Sequence, residues 1–450
     1  MFQRLIQATL ILLLSLLTGC AGSSLFVPYP SRIATVHSQL IKGDDQAALK
    51  TLSSGLSGAD SLLYAQESGR VAALLGDTDS SLKFYRLAMT DYNQYDWKAI
   101  VSLTDLSAQL GAATLSDNLV PYRGQAFERV MLHQQQSFNY LWQGDIEGAM
   151  VEVRRADQAQ ELAQQAYRSA LKSQRALSNA AIDAELTQLD RQAGNAPDSF
   201  INPYVLFSNA VLYEANGQAN DALIDIRKAL QLLPENRLLQ QEMVRLSCQV
   251  RIDCAALSQR FGDSPQPEPD SGRLVVLYET GTLPPRQGIS VPFSWDGAYQ
   301  QIALPTYRDN RPEPAPLSLT LGEQTLQTQP LANLDQMAAR SLREQYPFIL
   351  VRQGIRLATK HNTNQWADRK GGELGAFTMQ VFNALTEQAD RRSWLSLPRQ
   401  AQAWAGYLTE GEYQFNLDGQ ANTLTLARGR TTLVWIARQD GVRQIRTILI

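Results

Sequence analysis

The chain has 450 residues, 44% of them hydrophobic and 8% aromatic, and its 41 Lys and Arg against 44 Asp and Glu give a formal charge of −3. This composition excludes a disordered or collagen-like chain and predicts two or three globular domains. Because the charge provides no basic field, we do not expect nucleic acid as a partner. Three histidines and three cysteines are too few soft ligands for a multi-metal enzyme.

The N-terminus has the pattern of a secretion signal. Arg4 precedes an apolar run from Leu10 to Leu17. As a helix, that run is too short to cross the roughly 30 Å apolar layer of a bilayer. We therefore predict that residues 1–19 form a signal peptide that is removed.

The cleavage point carries a second signal. Leu17-Thr18-Gly19-Cys20 resembles the bacterial lipobox, which implies that Cys20 becomes acylated and anchors the mature chain in a membrane. Ala21, where inner-membrane lipoproteins carry Asp, favours the periplasmic face of the outer membrane, with residues 20–30 as a tether. The alternative is an ordinary cleaved signal with an unrelated cysteine.

Cys248 and Cys254 are the cysteines left after lipidation. In an oxidising periplasm an even pair predicts one disulfide. Two sulfurs six positions apart do not meet across a regular helix, so a turn is required between them, from Gln249 to Asp253. The alternative is a pair of buried free thiols. No histidine lies nearby, so we do not expect a metal at this pair.

Residues 31–260 follow the period of amphipathic helices, with glycines recurring before a polar residue. The glycines are Gly43, Gly76, Gly144 and Gly217, at spacings of 33, 68 and 73 residues. Tetratricopeptide repeats have a period of 34 residues, and such a turn joins their two antiparallel helices. We therefore predict tetratricopeptide-like repeats, with generic helical hairpins as the alternative.

Small residues support a common register for these repeats. In three units they fall where paired helices would touch: Gly69, Ser81 and Ala88, then Ser137, Ala149 and Ala156, then Ala210, Ala222 and Ala229. The two longer intervals predict insertions. One is a degenerate hairpin that pivots at Gly111, and the other is a long helix or helical pair over residues 157–193. A thin apolar stripe indicates that the second packs on one side, with a partner-binding arm as the alternative.

A linker rich in Pro and Asp over residues 261–271 precedes a C-terminal domain, residues 272–450. We predict one helix from Asn333 to about Ala358, interrupted near Tyr346-Pro347, and another from Gly375 to Glu387. The predicted strands are Leu274–Glu279, Ile289–Phe293, Gln300–Leu304, Leu317–Leu321, Thr325–Gln329, Gln402–Tyr407, Tyr413–Leu417, Thr431–Ala437 and Val442–Ile450.

The predicted fold class is therefore an α+β multidomain protein, in which all-α tetratricopeptide-like repeats precede a domain with a mostly antiparallel sheet. The last hairpin is expected to complete a sheet that begins before the helices. Its apolar end, Ile448-Leu449-Ile450, predicts a buried last strand.

Catalytic motifs are not evident: the chain has no Walker loop, GxSxG elbow, HExxH helix or CxxC pair. The side chains available to an enzyme form no recognisable constellation; they are Glu128, His133, Glu147, Glu152, Arg154, Arg155, His361, Asp390, Arg391 and Arg392. For the cluster Asp390-Arg391-Arg392-Ser393-Trp394 we favour an Arg–Asp pair that fixes a corner over a ligand site. We expect no catalytic residues, no metal and no cofactor.

Six segments together resemble an uncharacterised family of proteobacterial tetratricopeptide-repeat outer-membrane lipoproteins. They are Glu128–His133, Phe138–Leu141, Gly144-Asp145, Val151–Arg155, Phe200–Tyr204 and Ala389–Trp394, and the resemblance spans most of the mature chain. The family has no assigned reaction. Its genes tend to lie beside those of lipoproteins that activate penicillin-binding proteins, which implies a role in the cell envelope.

The sequence favours a non-enzymatic, outer-membrane-anchored periplasmic scaffold that binds another envelope protein or peptide, in peptidoglycan or cell-envelope assembly. Repeat arrays bind along a concave wall, which the register assigns to Gln134, Phe138, Leu141, Tyr204, Phe207, Val211 and Glu214. The alternative for these side chains is packing against the inserted helix. Two other functions stay open: an envelope enzyme acting on glycan or peptide, with a site around Glu373, Asp390 and Arg391, and an accessory component of a secretion apparatus.

Overall fold

The computed structural model describes residues 27–101, 120–171, 180–196, 199–295, 298–370 and 388–450. In these residues an N-terminal helical half precedes a C-terminal half built on a sheet, as expected for an α+β protein. The helices of the N-terminal half are α1 (Tyr29–Ile41), α2 (Asp45–Ser53), α3 (Ser61–Leu74), α4 (Thr78–Val101), α5 (Ala126–Trp142), α6 (Ile146–Leu171), α7 (Ala180–Ala193), α8 (Pro203–Ala215), α9 (Ala219–Leu232), α10 (Arg237–Val250) and α11 (Cys254–Phe261).

Four helical turns share one geometry. Gly43, Gly76, Gly144 and Gly217 have φ of 73°, 82°, 77° and 75°, a left-handed conformation that glycine adopts without steric cost. In each turn the glycine N–H donates to the carbonyl three residues earlier, and the next N–H donates to the carbonyl five residues earlier. The recurring Gly-polar pair therefore ends one helix and starts the next in the same way at all four places.

The helices pair as antiparallel neighbours: α3 with α4, α5 with α6, and α8 with α9. Small residues let them approach closely. A Cβ atom added to Gly69 would lie 2.3 Å from the ring of Tyr85, and Ser137 and Ala210 are buried at the equivalent positions. The predicted insertion over residues 157–193 corresponds to the second half of α6 and to α7, which packs on a C-terminal helix, whereas Gly111 lies outside the described residues.

The C-terminal half contains β1 (Ser271–Thr280), β2 (Gln287–Trp295), β3 (Ala298–Thr306), β4 (Ser318–Leu321), β5 (Gln324–Gln327), β6 (Gln329–Asn333), α12 (Leu334–Lys370), β7 (Gln400–Thr409), β8 (Gly411–Leu417), β9 (Gln420–Leu426), β10 (Thr431–Gln439) and β11 (Val442–Leu449). Five strands form one sheet in the order β11-β10-β1-β7-β6. The β1–β10 pair is parallel, and the other neighbours are antiparallel. The C-terminal hairpin thus joins the strand that begins the domain.

Both faces of this sheet are buried. Val275, Leu277 and Trp435 on one face belong to the core shared with the helical half. On the other face, Val276 and Ile436 pack with the hairpins β4–β5 and β8–β9. Two buried faces explain the continuous burial of nine residues along β1, where a half-exposed strand would alternate.

Two predictions about this half are wrong. Helix α12 continues through Pro347, because the helix on both sides of the proline is held by burial of Tyr346 and Leu350, and Tyr346 Oη donates to the carbonyl of Pro305 at 3.0 Å. The last strand is not buried: β11 is an edge strand with Leu449 44% exposed. The helix predicted over Gly375–Glu387 lies outside the described residues.

Among the described helices, none combines the length and the apolar content needed to cross a membrane.

Candidate functional site

A buried polar seam joins the helical half to the sheet. Glu67 and Arg70 lie one turn apart on α3, and Glu128 and Gln135 lie two turns apart on α5, so each helix turns two polar side chains to one side. All four are at most 2% exposed. Buried polar groups of this kind require partners, and the sheet half supplies them.

Arg70 and Glu279 form the centre of this seam. Arg70 Nη1 lies 2.7 Å from Glu279 Oε2, and both side chains are fully buried. Gln135 Nε2 and Tyr204 Oη each donate to Glu279 Oε1 at 2.9 Å. Arg70 also donates to Gln135 at 2.9 Å and to the side chain of Gln439 at the end of β10. Three helices and two strands therefore share one hydrogen-bonded ion pair.

Two further glutamates hold the backbone of the segment before β7. Glu67 accepts from the N–H of Leu395 at 2.7 Å and of Ser396 at 3.1 Å. Glu128 accepts from the N–H of Trp394 at 2.9 Å and from Tyr122 Oη at 2.7 Å. Burial raises the pKa of both carboxyl groups, and these hydrogen bonds to the charged forms oppose that rise.

The Asp390–Trp394 cluster has a structural role in this geometry. Arg392 binds Asp390 at 2.9 Å and Asp60 at 2.8 Å, and it donates to the carbonyl of Val120 at 2.9 Å. Arg391 Nε donates to the carbonyl of Arg286 at 2.9 Å. The carboxylates therefore fix a corner, as the favoured interpretation of the sequence holds.

The remaining enzyme candidates are scattered. His133 Nδ1 lies 2.7 Å from Glu152, which also binds Arg155 at 2.6 Å. Glu147 and Arg154 are exposed on α6. Glu373 lies outside the described residues, and the side chain of His361 is not described. Of the remaining candidates, Glu128 alone among the described side chains contacts the Asp390–Trp394 segment, through the N–H of Trp394.

The expected binding wall lies inside the molecule. Gln134, Phe138, Leu141, Tyr204, Phe207 and Val211 are all buried, and only Glu214 is partly exposed. Tyr204 contacts Glu279, and Glu214 binds Arg273 of β1 together with Arg245 of α10. The wall contacts the chain's own core and sheet half, so a partner does not reach it in this conformation.

The two cysteines are placed as the spacing requires. Cys248 and Cys254 form a disulfide, with their Cα atoms 4.5 Å apart, between the end of α10 and the start of α11. The chain reverses between them through Arg251 and Asp253, which have φ of 59° and 54°. Cys20 lies outside the described residues.

An open cleft of about 740 Å³ lies at the carboxyl ends of the parallel strands β1 and β10. This volume falls within the range of small-molecule sites. Its buried residues are Tyr278, Leu317, Leu417 and Gln439. The exposed or partly exposed polar residues are Thr280, Thr282, Ser318, Asn416, Asp418, Arg438, Asp440 and Arg443. The walls come from four separated segments of the chain, so no local sequence pattern marks this site.

The charges around the cleft are unevenly paired. Arg438 binds Asp418 at 3.0 Å, and Asp440 lies 3.6 Å from His37 of α1. Burial raises the pKa of Asp440, and the neighbouring His37 opposes that rise. Arg443 donates to the carbonyl of Leu417, and no described carboxylate lies within ion-pair distance of it. Among the described residues, Arg443 is therefore the arginine of the cleft without an acidic partner, and a ligand's anionic group could meet it there.

No group of three or more His, Cys, Asp or Glu side chains that could hold a metal ion occurs in the described part of the chain. No protein-family model and no curated protein matches this chain.

Proposed function

We propose that this protein is a non-enzymatic scaffold, anchored by a lipid at Cys20 to the periplasmic face of the outer membrane, that binds another envelope protein through its C-terminal half. The observation that carries the proposal is the seam. The inner side of the helical array is occupied by the chain's own sheet, so the helices serve to position that half. The open cleft at the ends of β1 and β10 then becomes the leading surface for recognition.

We further propose that the helical half is a tetratricopeptide-like array. Four Gly-polar turns of one geometry and buried small residues at equivalent helix contacts support it. Such arrays are stabilised by contacts between neighbouring repeats. In this chain, the sheet half packs along the inner side of the helical array, where other repeat proteins bind a separate partner.

An envelope enzyme acting on glycan or peptide is the competing function. It would need two carboxylates facing one cleft. Asp418 and Asp440 both line the cleft, but Asp418 binds Arg438, and Asp440 directs its carboxylate to His37 with only 10% of its side chain exposed. This arrangement supports binding over acid–base catalysis.

Site-specific photo-crosslinking in intact cells tests the proposal. A crosslinking residue at Ser318 or Asn416, both exposed in the cleft, is expected to capture an envelope protein. The same residue at Lys50 on α2 or at Arg154 on α6, also exposed but distant in sequence from the cleft, is the matched control. Capture from the control positions alone would contradict recognition at the cleft.

A cell-wall digestion assay separates the two functions. The purified protein, incubated with isolated peptidoglycan, is expected to release no soluble fragments. Release that the substitutions Asp418→Asn and Asp440→Asn abolish would replace the scaffold with the enzyme.

A further inference from the structure

Strand β11 presents an unpaired edge. Thr431 and Ile450 form a hydrogen-bonded pair. The N–H of Ile450 donates to the carbonyl of Thr431 at 2.8 Å, and the N–H of Thr431 donates to the carbonyl of Ile450 at 3.2 Å. Because bonded and non-bonded pairs alternate along an antiparallel ladder, the register with β10 directs the backbone N–H and C=O of four residues outward. These residues are Arg443, Ile445, Thr447 and Leu449. In the described residues, no strand pairs with this side of the sheet.

The edge is accessible although one face of the strand is covered. Arg446 binds the turn between α3 and α4. Its guanidinium donates to the carbonyl of Gly76 and to the hydroxyl of Thr78, each at 2.6 Å. Thr447 and Leu449 are exposed. The turn thus supports β11 from one face. On the outer side, the carbonyl of Ile445 accepts a long hydrogen bond of 3.5 Å from Gln444 Nε2 of the same strand. Open edges of this kind accept an added strand.

The edge is cationic. β11 contains Arg443 and Arg446 and no acidic residue, and Arg430 lies beside its end, where it donates to the carbonyl of Ile450. Within the described ranges, no Asp or Glu side chain forms an ion pair with any of these three arginines. Arg438, on the neighbouring strand, does have such a partner in Asp418.

This charge selects the occupant. A second copy of β11 would bring two more arginines and no acidic residue to the pair, and like charges close together across a strand pair are destabilising. An extended segment with carboxylates on alternate residues would match the edge. Val442 and Arg443 also line the cleft, so a segment paired with β11 would reach the cleft mouth.

We infer that the outer edge of β11 binds an extended acidic segment of the partner protein as a sixth strand, with its carboxylates on Arg443 and Arg430. The inference rests on the proposed scaffold function and specifies how the partner is held. The backbone groups of Arg443, Ile445, Thr447 and Leu449 supply the pairing, and the arginines supply the preference for acidic sequence.

Thr447→Pro tests the edge directly. It removes an outward N–H and blocks pairing, while the ladder to β10 is left intact, because proline is tolerated on the free side of an edge strand. Thr447→Val, which keeps the N–H, is the matched control. The probe is a synthetic peptide of eight residues alternating Glu and Val, the length of β11, and a Lys-Val peptide is the charge control.

Fluorescence anisotropy on the full mature chain is expected to show binding of the acidic peptide only, weakened by salt. Thr447→Pro should weaken it at least about tenfold, the equivalent of one lost hydrogen bond to the peptide, and Thr447→Val should not. Arg443→Glu is the second variant should Thr447→Pro melt early, with Arg428→Glu, an exposed arginine paired with Asp270, as its control. Equal binding by Thr447→Pro and Thr447→Val, or no binding of the acidic peptide, would overturn the inference.

Crosslinking separates this inference from the proposed function. If the partner captured from the cleft by the parent protein is captured equally by folded Thr447→Pro, the edge is not the site although the scaffold function stands. If no partner is captured by any variant, the scaffold function itself fails. A concentration-dependent dimer that Thr447→Pro abolishes would identify a second copy as the occupant and would also overturn the acidic segment.

Discussion

Replacing Glu279 with Gln is expected to weaken the attachment of the sheet to the helices. The change preserves shape but removes the charge that Arg70 faces at 2.7 Å, with both side chains fully buried. It also leaves Tyr204 and Gln135 to donate to a neutral amide. Arginine does not deprotonate in proteins, so it cannot relieve the loss.

The magnitude follows from burial. Removing one partner of a buried ion pair costs about 3 to 5 kcal/mol, because the other charge stays desolvated. Replacing both members with apolar or neutral groups, as in Arg70→Met with Glu279→Gln, removes that penalty, so the double variant should lose less than the sum of the two single losses. Denaturant titration followed by tryptophan fluorescence measures the three free energies, with Trp394 and Trp435 buried near the seam as reporters.

An exposed pair provides the control. Arg428 and Asp270 lie 3.3 Å apart in the same half, with 60% and 68% of their side chains exposed. Exposed ion pairs contribute about 0 to 1 kcal/mol to the free energy of unfolding, so Asp270→Asn should change stability little. A loss for Glu279→Gln no larger than that of Asp270→Asn would refute the argument from burial.

Four further outcomes are expected. Burial, helped by a neighbouring carboxylate, raises the pKa of Asp225 to about 8. Its folded state therefore binds the proton more tightly than the unfolded chain, and stability falls as pH rises from about 4 to about 8; Asp225→Asn should remove this fall in thermal melts, and an unchanged slope would contradict it. Cys20→Ser should release the protein from membranes, whereas continued outer-membrane sedimentation at unchanged precursor size, without globomycin sensitivity, would contradict lipidation. Non-reducing mass mapping should join Cys248 to Cys254, and recovery of both as alkylated thiols from freshly quenched cells would argue against the bond. Gly144→Ala should cost about 1 kcal/mol from backbone strain alone, since φ is 77° and nothing lies within 4 Å of an added Cβ; an unchanged thermal midpoint would show that the turn adapts.

Local features were determined by the sequence itself. Gly144-Asp145 specifies a turn because glycine adopts a left-handed φ without cost and Asp145 Oδ1 accepts from the N–H of residue 148 at 2.8 Å. Strand patterns located β1, β10 and β11 within a few residues of their observed bounds. The residues that carry these signals lie within a few positions of one another, so the sequence alone is enough to predict the turn and the strands. Strand β9 was missed, because its polar, Gln- and Asn-containing start resembles a loop.

Only the tertiary structure decided which surfaces are open. The helical period shows that Phe138 and Phe207 lie on an apolar side, but not that the chain's own core covers them. Arg70 meets Gln439 across 369 positions of sequence, a pairing that no local pattern specifies. The apolar end of β11 predicted burial, yet the order of strands in the sheet placed it at an edge. Hydrophobic content sets how much surface an element must bury; the packing of distant elements sets what covers that surface and which backbone groups are left without a partner.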